Sequence, residues 1–419
     1  MTRVALIEYF TTSSSTLIFL AKEGLPTPLV FTAATGAQQA PLTRDDLQRC
    51  AQRLIVDFHG LPPGWDAASE RERYKQLLTL PPAVNANKRN KEVNRINLRK
   101  PAFSYELTYL DNLSEALLPA DLRAEIEDCE LLCFVPHGPL HSLPFAALRW
   151  SPQEYLVERF GICYVQSASI LQYCQYKNRK RLAGSSHEPQ NCLIAAVAAA
   201  DDADSQEFEA DGEMLAALFR GRGTTHDDVY LVGASPTSDH QPASKELIKK
   251  MIGGHDVIHF ACHGIFGADA GGDPLDSGLL VSDGETTLPL STFRQLGATE
   301  RASHFLSARE IINLELTADL VTLRACSSGR AELEVGDELI GLTRAFLYAG
   351  APSLLVSLWN VNKRSSQKLL NEFYRYWLDP QRPLPKWQAL QQAQRSLMKD
   401  PEYRHPYHWA PFILSGDWL

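Results

Sequence analysis

The chain has 419 residues, 44% of them hydrophobic and 22% charged, with a formal net charge of −9. That is the profile of a soluble globular protein with enough apolar material for its own core, and it argues against a general nucleic-acid partner. No uninterrupted apolar run reaches the roughly 18 residues that read as a membrane-spanning helix, and the opening MTRVALIEYFTTSSS lacks the pattern of a secretory signal. The expectation is a cytoplasmic protein without membrane contact.

In chain order, RVALIEYF and TLIFLAKEG are strand-like runs on either side of a Thr/Ser cluster and predict a hairpin. Leu47, Cys50, Leu54 and Phe58 fall at helical spacing in residues 42–58, with Thr43 placed to cap the helix. Residues 60–100 are polar and irregular. Within them Lys88, Arg89, Lys91, Arg95, Arg99 and Lys100 form a basic run, which reads first as a solvated loop and otherwise as a local binding or processing segment. Residues 104–123 predict one further helix. LLCFV is a buried strand, followed by the turn-rich PHGPLHSLPF. Residues 154–173 add a strand and the start of a helix.

The polar segment 177–191 is read as the boundary between two halves, residues 1–185 and 186–419. Beyond it strands and helices alternate: CLIAAVAA, then a helix over 205–219, DVYLVG, then a helix opened by Ser244, and DVIHFACHG. After an irregular stretch come DLVTLRAC, a helix closed by Gly350, SLLVSLWNV and two more helices. This alternation predicts an α/β fold with a mostly parallel central sheet covered on both faces. Residues 286–316 resemble an insertion able to fold over a cleft.

Eight cysteines are present, with no CxxC pair, and Cys129 and Cys133 lack a matching second pair. Most sit in apolar runs and read as small buried hydrophobes, so no metal site is expected. Cys326 differs in place, because it ends a strand and is followed by Ser327, Ser328 and Gly329. The C-terminal ends of parallel strands line one edge of the sheet, where open α/β folds place their ligands. His263 ends the strand VIHFACHG. If the two strands are neighbours, His263 can raise the thiolate fraction of Cys326, and the thiolate is the nucleophilic form. His259 lies deeper on the same face and reads as a core histidine. Cys262 falls on the opposite face, which argues against a metal cluster with His259 and His263. His137, in a second His-Gly pair, is the rival base.

VIHFACHG, PLDSGLLVSDG, LVTLRACSSG, GDELIGLTRAFLYAGAPSLLVSLWNV and HPYHWAPFILSGDW together resemble the CHAT domain family, a branch of clan CD that includes caspases and separases. PHGPLHSLPFAAL and YVQSAS are similar to the same family, and matching segments are scattered from about residue 105 to 419. The resemblance implies a caspase-like fold, with residues 1–185 as a pseudo-caspase-like half and 186–419 as the catalytic half. It implies a Cys–His dyad peptidase with Cys326 as nucleophile and His263 as general base. The backbone N–H groups of Gly264 and Cys326 would form the oxyanion hole. The activity implied is a cysteine endopeptidase acting on a specific protein substrate without a cofactor. Family analogy adds a regulated prokaryotic protease, in defence or cell-death signalling, with an activating partner protein.

Substrate selection is less legible. A pocket for a basic side chain needs a buried carboxylate, and one for an acidic side chain needs arginine. Asp273, Asp276, Arg324, Ser327 and Asp337 are the substrate-binding candidates, with Asp269, Glu332 and Glu334 as further carboxylates. Separase-like sequences are acidic after the Trp, whereas here Asn360–Arg364 reads NVNKR, which argues against separase-type recognition of arginine. Two other readings compete with the peptidase. One is a catalytically silent caspase-like scaffold or adaptor. The other is a nucleotide-binding domain, disfavoured because no Gly-rich phosphate loop follows CLIAAVAA.

Overall fold

In β1 (Val4–Thr11), Ala5, Ile7 and Tyr9 are buried while Glu8 and Phe10 face outward. The period of two follows from the pleat and leaves one face of the strand for the core. The computed structural model describes residues 2–35, 40–59, 108–184, 189–197, 206–222, 229–233, 241–265, 274–285, 287–327, 335–359 and 361–419. The basic run between Lys88 and Lys100 lies outside the described residues.

β1 turns through Thr12–Ser15 and pairs antiparallel with β2 (Thr16–Lys22), the hairpin expected from the Thr/Ser cluster, and β2 pairs antiparallel with β3 (Leu29–Thr35). β4 (Ala40–Pro41) completes that edge. Helix α1 (Arg44–His59) follows. Thr43 Oγ1 accepts from the Asp46 N–H at 3.2 Å, and the Asp46 carboxylate accepts from the Thr43 N–H at 3.0 Å. Two orphan donors at the helix start are thereby satisfied.

The single helix expected over residues 104–123 is two helices instead, α2 (Thr108–Leu117) and α3 (Ala120–Ile126), with Pro119 at the N-cap of the second. Proline has no N–H for a helical bond and disfavours helix at the residue before it, so the chain must restart there. β5 (Leu131–Val135) is buried along its whole length. The small hairpin of β6 (Arg149–Ser151) and β7 (Glu154–Tyr155) stands apart from the main sheet. β8 (Gly161–Tyr164) returns to it.

The expected boundary segment is in large part helical, because α4 (Ala168–Gly184) runs through its first half. Two of its polar residues are pinned to the second half of the chain. Asn178 Nδ2 donates to Asp417 at 2.6 Å, and Arg181 pairs with Asp319 at 3.1 Å. Polarity here marks a buried network rather than a solvated linker.

The second half brings β9 (Cys192–Ala196), α5 (Gln206–Gly221), β10 (Val229–Gly233), β11 (Gln241–Pro242), α6 (Lys245–Met251) and β12 (Val257–Ile265). Ser244 caps α6 by accepting from the Leu247 N–H, as its position in the sequence suggests. β13 (Gly278–Leu280) and β14 (Phe305–Ser307) pair with each other. Residues 287–316 hold single-turn helices together with β14, and Leu290, Phe293 and Phe305 close a small core with Ile265 and Leu280. The stretch is a folded extension of the β12 edge rather than an open loop.

Then come β15 (Leu320–Ser327), α7 (Val335–Ala349), β16 (Ser353–Ser357), α8 (Lys363–Trp377), α9 (Lys386–Lys399) and β17 (Phe412–Gly416). Gly350 ends α7 at φ +125°, a conformation that a Cβ disfavours.

The strand order is β11-β10-β9-β12-β15-β16-β17-β8-β5-β1-β2-β3-β4, with β13 on β12 and β14 on β13. From β11 to β16 all neighbours on this path are parallel, and β17 runs antiparallel to β16. One sheet therefore runs through both halves, joined where β17 meets β8 at Ser415 and Tyr164. The fold is mixed α/β, with a mostly parallel central sheet flanked by helices. Among the described residues no helix is long and apolar enough to cross a membrane.

Candidate active site

Parallel pairing aligns the C-terminal ends of β12 and β15 along one edge. The register sets His259 opposite Thr322, Ala261 opposite Arg324, His263 opposite Cys326 and Gly264 opposite Ser327. Neighbouring strands lie about 4.8 Å apart, so His263 and Cys326 are backbone neighbours near the ends of two buried strands. The side chains of Cys326, Ser327 and Asp337 lie outside the described residues, as does Asp273. The backbone places Ser327 at the last position of β15 and Asp337 in the first turn of α7.

β12 alternates as a strand covered on both faces must. The His263 ring meets Phe208 of α5 nearly at right angles, with centroids 5.3 Å apart and planes at 81°. The His259 ring lies 5.8 Å from that of Tyr374 in α8. Phe260, on the other face, meets Phe346 of α7 at 5.8 Å. Helices α5 and α8 therefore cover the face that carries the histidines. His263 is 7% exposed, within reach of the sheet edge but not open to bulk water.

Gly264 has a strand on either side, Ser327 of β15 on one and Leu279 of β13 on the other. Its backbone is thus flanked by a strand on both sides.

His259 is a core residue, as expected. Its Nδ1 lies 3.1 Å from the Tyr374 hydroxyl, which is 2.7 Å from Thr322 Oγ1. Burial pushes its pKa down to about 4. Its Nε2 is buried without a hydrogen-bond partner. His137, the rival base, has Nδ1 engaged by Thr11, accepting from the N–H at 3.2 Å and lying 2.8 Å from Oγ1. Its ring rests 5.0 Å from that of Phe10. The histidine of the first half is thereby tied into the β1 end.

Asp276 sits in a single 3-10 turn (Pro274–Asp276) and accepts from Arg309 Nε at 2.6 Å. Arg324 is 4% exposed and ion-pairs with Asp211, so its guanidinium points into the protein beneath the edge. Phe208 and Asp211 were not singled out by the sequence. The signal was present, since an acid one turn from a phenylalanine on the apolar side of an amphipathic helix is out of place unless it has a buried partner. Cys50, Cys129, Cys133, Cys163, Cys174, Cys192 and Cys262 are buried and form no disulfide. Burial raises the pKa of Cys163, Cys174 and Cys192, which keeps them protonated and unreactive. Among the described residues no group of His, Cys, Asp and Glu could hold a metal ion.

The CHAT domain family matches residues 107–417, most of the chain and both sides of the sheet junction. Tetratricopeptide repeat protein 28 of Homo sapiens is 28% identical over 313 residues, and the mouse protein of that name is 27% identical over 310. Those matches cover 68% of this chain but only 12% of either relative. The separase of Saccharomyces cerevisiae, solved as a separase–securin complex, superposes with a TM-score of 0.51 at 12% identity, covering 99% of this chain and 30% of that one. At that identity the likeness concerns the fold.

Proposed function

This chain belongs to the CHAT domain family, and on that footing we propose that it is a cysteine endopeptidase acting through Cys326 and His263. The observation that carries the reading is the register between β12 and β15, which makes these two positions neighbours at the C-terminal edge of a parallel sheet. In the proposed reaction His263 takes the proton of the Cys326 thiol, and the thiolate attacks a peptide carbonyl. The backbone N–H groups of Gly264 and Cys326 stabilise the oxyanion. His263 then returns its proton to the leaving amine, and water hydrolyses the thioester to free the acid and the thiol. The chemistry needs no metal or organic cofactor.

We assign residues 1–185 to a pseudo-caspase-like half, in which His137 is held by Thr11 rather than placed beside a nucleophile. Asp273, Asp276, Ser327 and Asp337 stay as candidates for substrate contact, with Asp276 required to leave Arg309 to take part. An activating or restraining partner protein fits the same reading, since the yeast separase with this fold was crystallised with securin.

The test is mapping of new protein N-termini after a lysate is incubated with wild-type protein or with Cys326→Ala. Termini that appear only with the wild type, after a consistent residue, support the peptidase. Identical sets from both proteins assign the chain to the silent scaffold instead.

A further inference from the structure

Arg324 stands two positions before Cys326 on β15. Its buried ion pair is with Asp211, which is 1% exposed and lies one turn along α5 from Phe208. The Arg324 guanidinium carbon is 5.3 Å from the centroid of the Phe208 ring, within the range of a cation–π contact. Arg324 Nη2 also donates to the Lys363 carbonyl at the start of α8, at 3.3 Å. One side chain on the nucleophile's strand thus ties down both helices that cover the histidine face. The Phe208 ring that it holds meets the His263 ring edge to face.

A fully buried ion pair is a poor source of stability compared with apolar packing, because both charges lose their hydration. Its presence beside a candidate dyad points to a role in geometry. We propose that Arg324 and Asp211 are positioning residues: together they clamp Phe208, and Phe208 fixes the plane of the His263 imidazole toward the end of β15. The inference rests on the dyad reading above. It also moves Arg324 from substrate contact to support of the base, since a guanidinium committed to Asp211, Phe208 and Lys363 is directed away from the cleft edge. Small misplacements of a reacting group are expensive, roughly 100-fold in rate for about 1 Å.

The experiment uses the full chain. In a Cys326→Ala background with histidines labelled at 13Cε1, the His263 signal is assigned by its loss in His263→Gln. Arg324→Met and Phe208→Leu should each shift that signal, although Arg324 acts only through the phenyl ring, and Arg324→Lys should return it part of the way. With Cys326 intact, the rate of its alkylation by iodoacetamide at pH 7 should fall roughly tenfold or more in either variant. The double variant should be no slower than the worse single one, because the two residues act in series. If Arg324→Met fails to fold, Phe208→Leu, which nearly conserves volume, carries the test. A His263 signal that stays in place, or alkylation losses that multiply in the double variant, would overturn the clamp. The dyad has its own readout: alkylation of Cys326 in the otherwise wild-type chain that ignores His263→Gln sinks the dyad, and the signal shift then judges the clamp by itself.

Discussion

His263 and Cys326 occupy paired positions on adjacent parallel strands, and Cys262, one residue earlier, is fully buried with the register partner Ala325. Successive residues of a strand face opposite ways, so neighbouring positions on β12 have different prospects. His263→Ala should lower proteolysis by roughly 100- to 10,000-fold, the usual contribution of a positioned base. Cys262→Ala should leave it within about twofold, since only packing changes. Cleavage of a peptide taken from the mapped sites checks both, and equal losses in the two variants would contradict the assignment.

Lys386 is wholly buried and reaches Asp319 Oδ1 at 2.9 Å, while Arg181 reaches the same oxygen at 3.1 Å. Asp319 therefore anchors two cations, one from the first half of the chain and one from α9. Asp319→Ala should destabilise the protein by about 3–5 kcal/mol, because it strands buried charge. Lys386→Met should cost less, because Arg181 still neutralises Asp319. Urea midpoints at pH 7 give the comparison, and the reverse order would refute the network.

Gly350 turns the chain from α7 toward β16 at φ +125°, and an added Cβ would lie 2.6 Å from the Leu316 carbonyl oxygen. Gly350→Ala should lose roughly 1–3 kcal/mol from backbone strain, with a further loss from overlap with that carbonyl. Thermal unfolding reads this directly. An unchanged midpoint would mean that the turn adopts another conformation.

Burial holds the pKa of His259 near 4, below the value of about 6.5 expected in the unfolded chain. The folded state thus favours neutral imidazole. As pH falls below about 6.5 the unfolded chain takes up a proton that the folded chain refuses, so stability declines until the pH nears 4, by about 3 kcal/mol in all for this residue. His405 and His408, whose pKa values are also pushed down to about 4, act in the same direction. Denaturation midpoints should therefore drop between pH 7 and pH 5. His259→Leu should be less stable at pH 7, having lost the bond to Tyr374, but should show a shallower decline. An equally steep profile in the variant would count against a neutral buried His259.

Much of the fold was legible because it is written in local chemistry. The alternation in Val4–Thr11, the wholly apolar Leu131–Val135 and the caps at Thr43, Ser244 and Gly350 each act over a few residues. Pro119 is a local signal too, since it breaks the helix expected over residues 104–123 into two. The polarity near 177–191 has a cause that no local pattern shows. Asn178 and Arg181 look like solvated charge until Asp417 and Asp319, more than two hundred and more than one hundred residues later, come to meet them.

The same division applies to the site. By itself the sequence determined that a cysteine and a histidine each lie near the end of a strand, because strand character and turn residues are properties of neighbouring positions. Only the tertiary structure decided that β12 and β15 are adjacent, and in a register that sets His263 against Cys326 rather than one residue away. Strand order and register depend on backbone hydrogen bonds and packing between distant segments, and no local pattern encodes them. Tertiary packing likewise turned Arg324 inward to Asp211 and Phe208, since a buried cation is stable only where the fold delivers a partner.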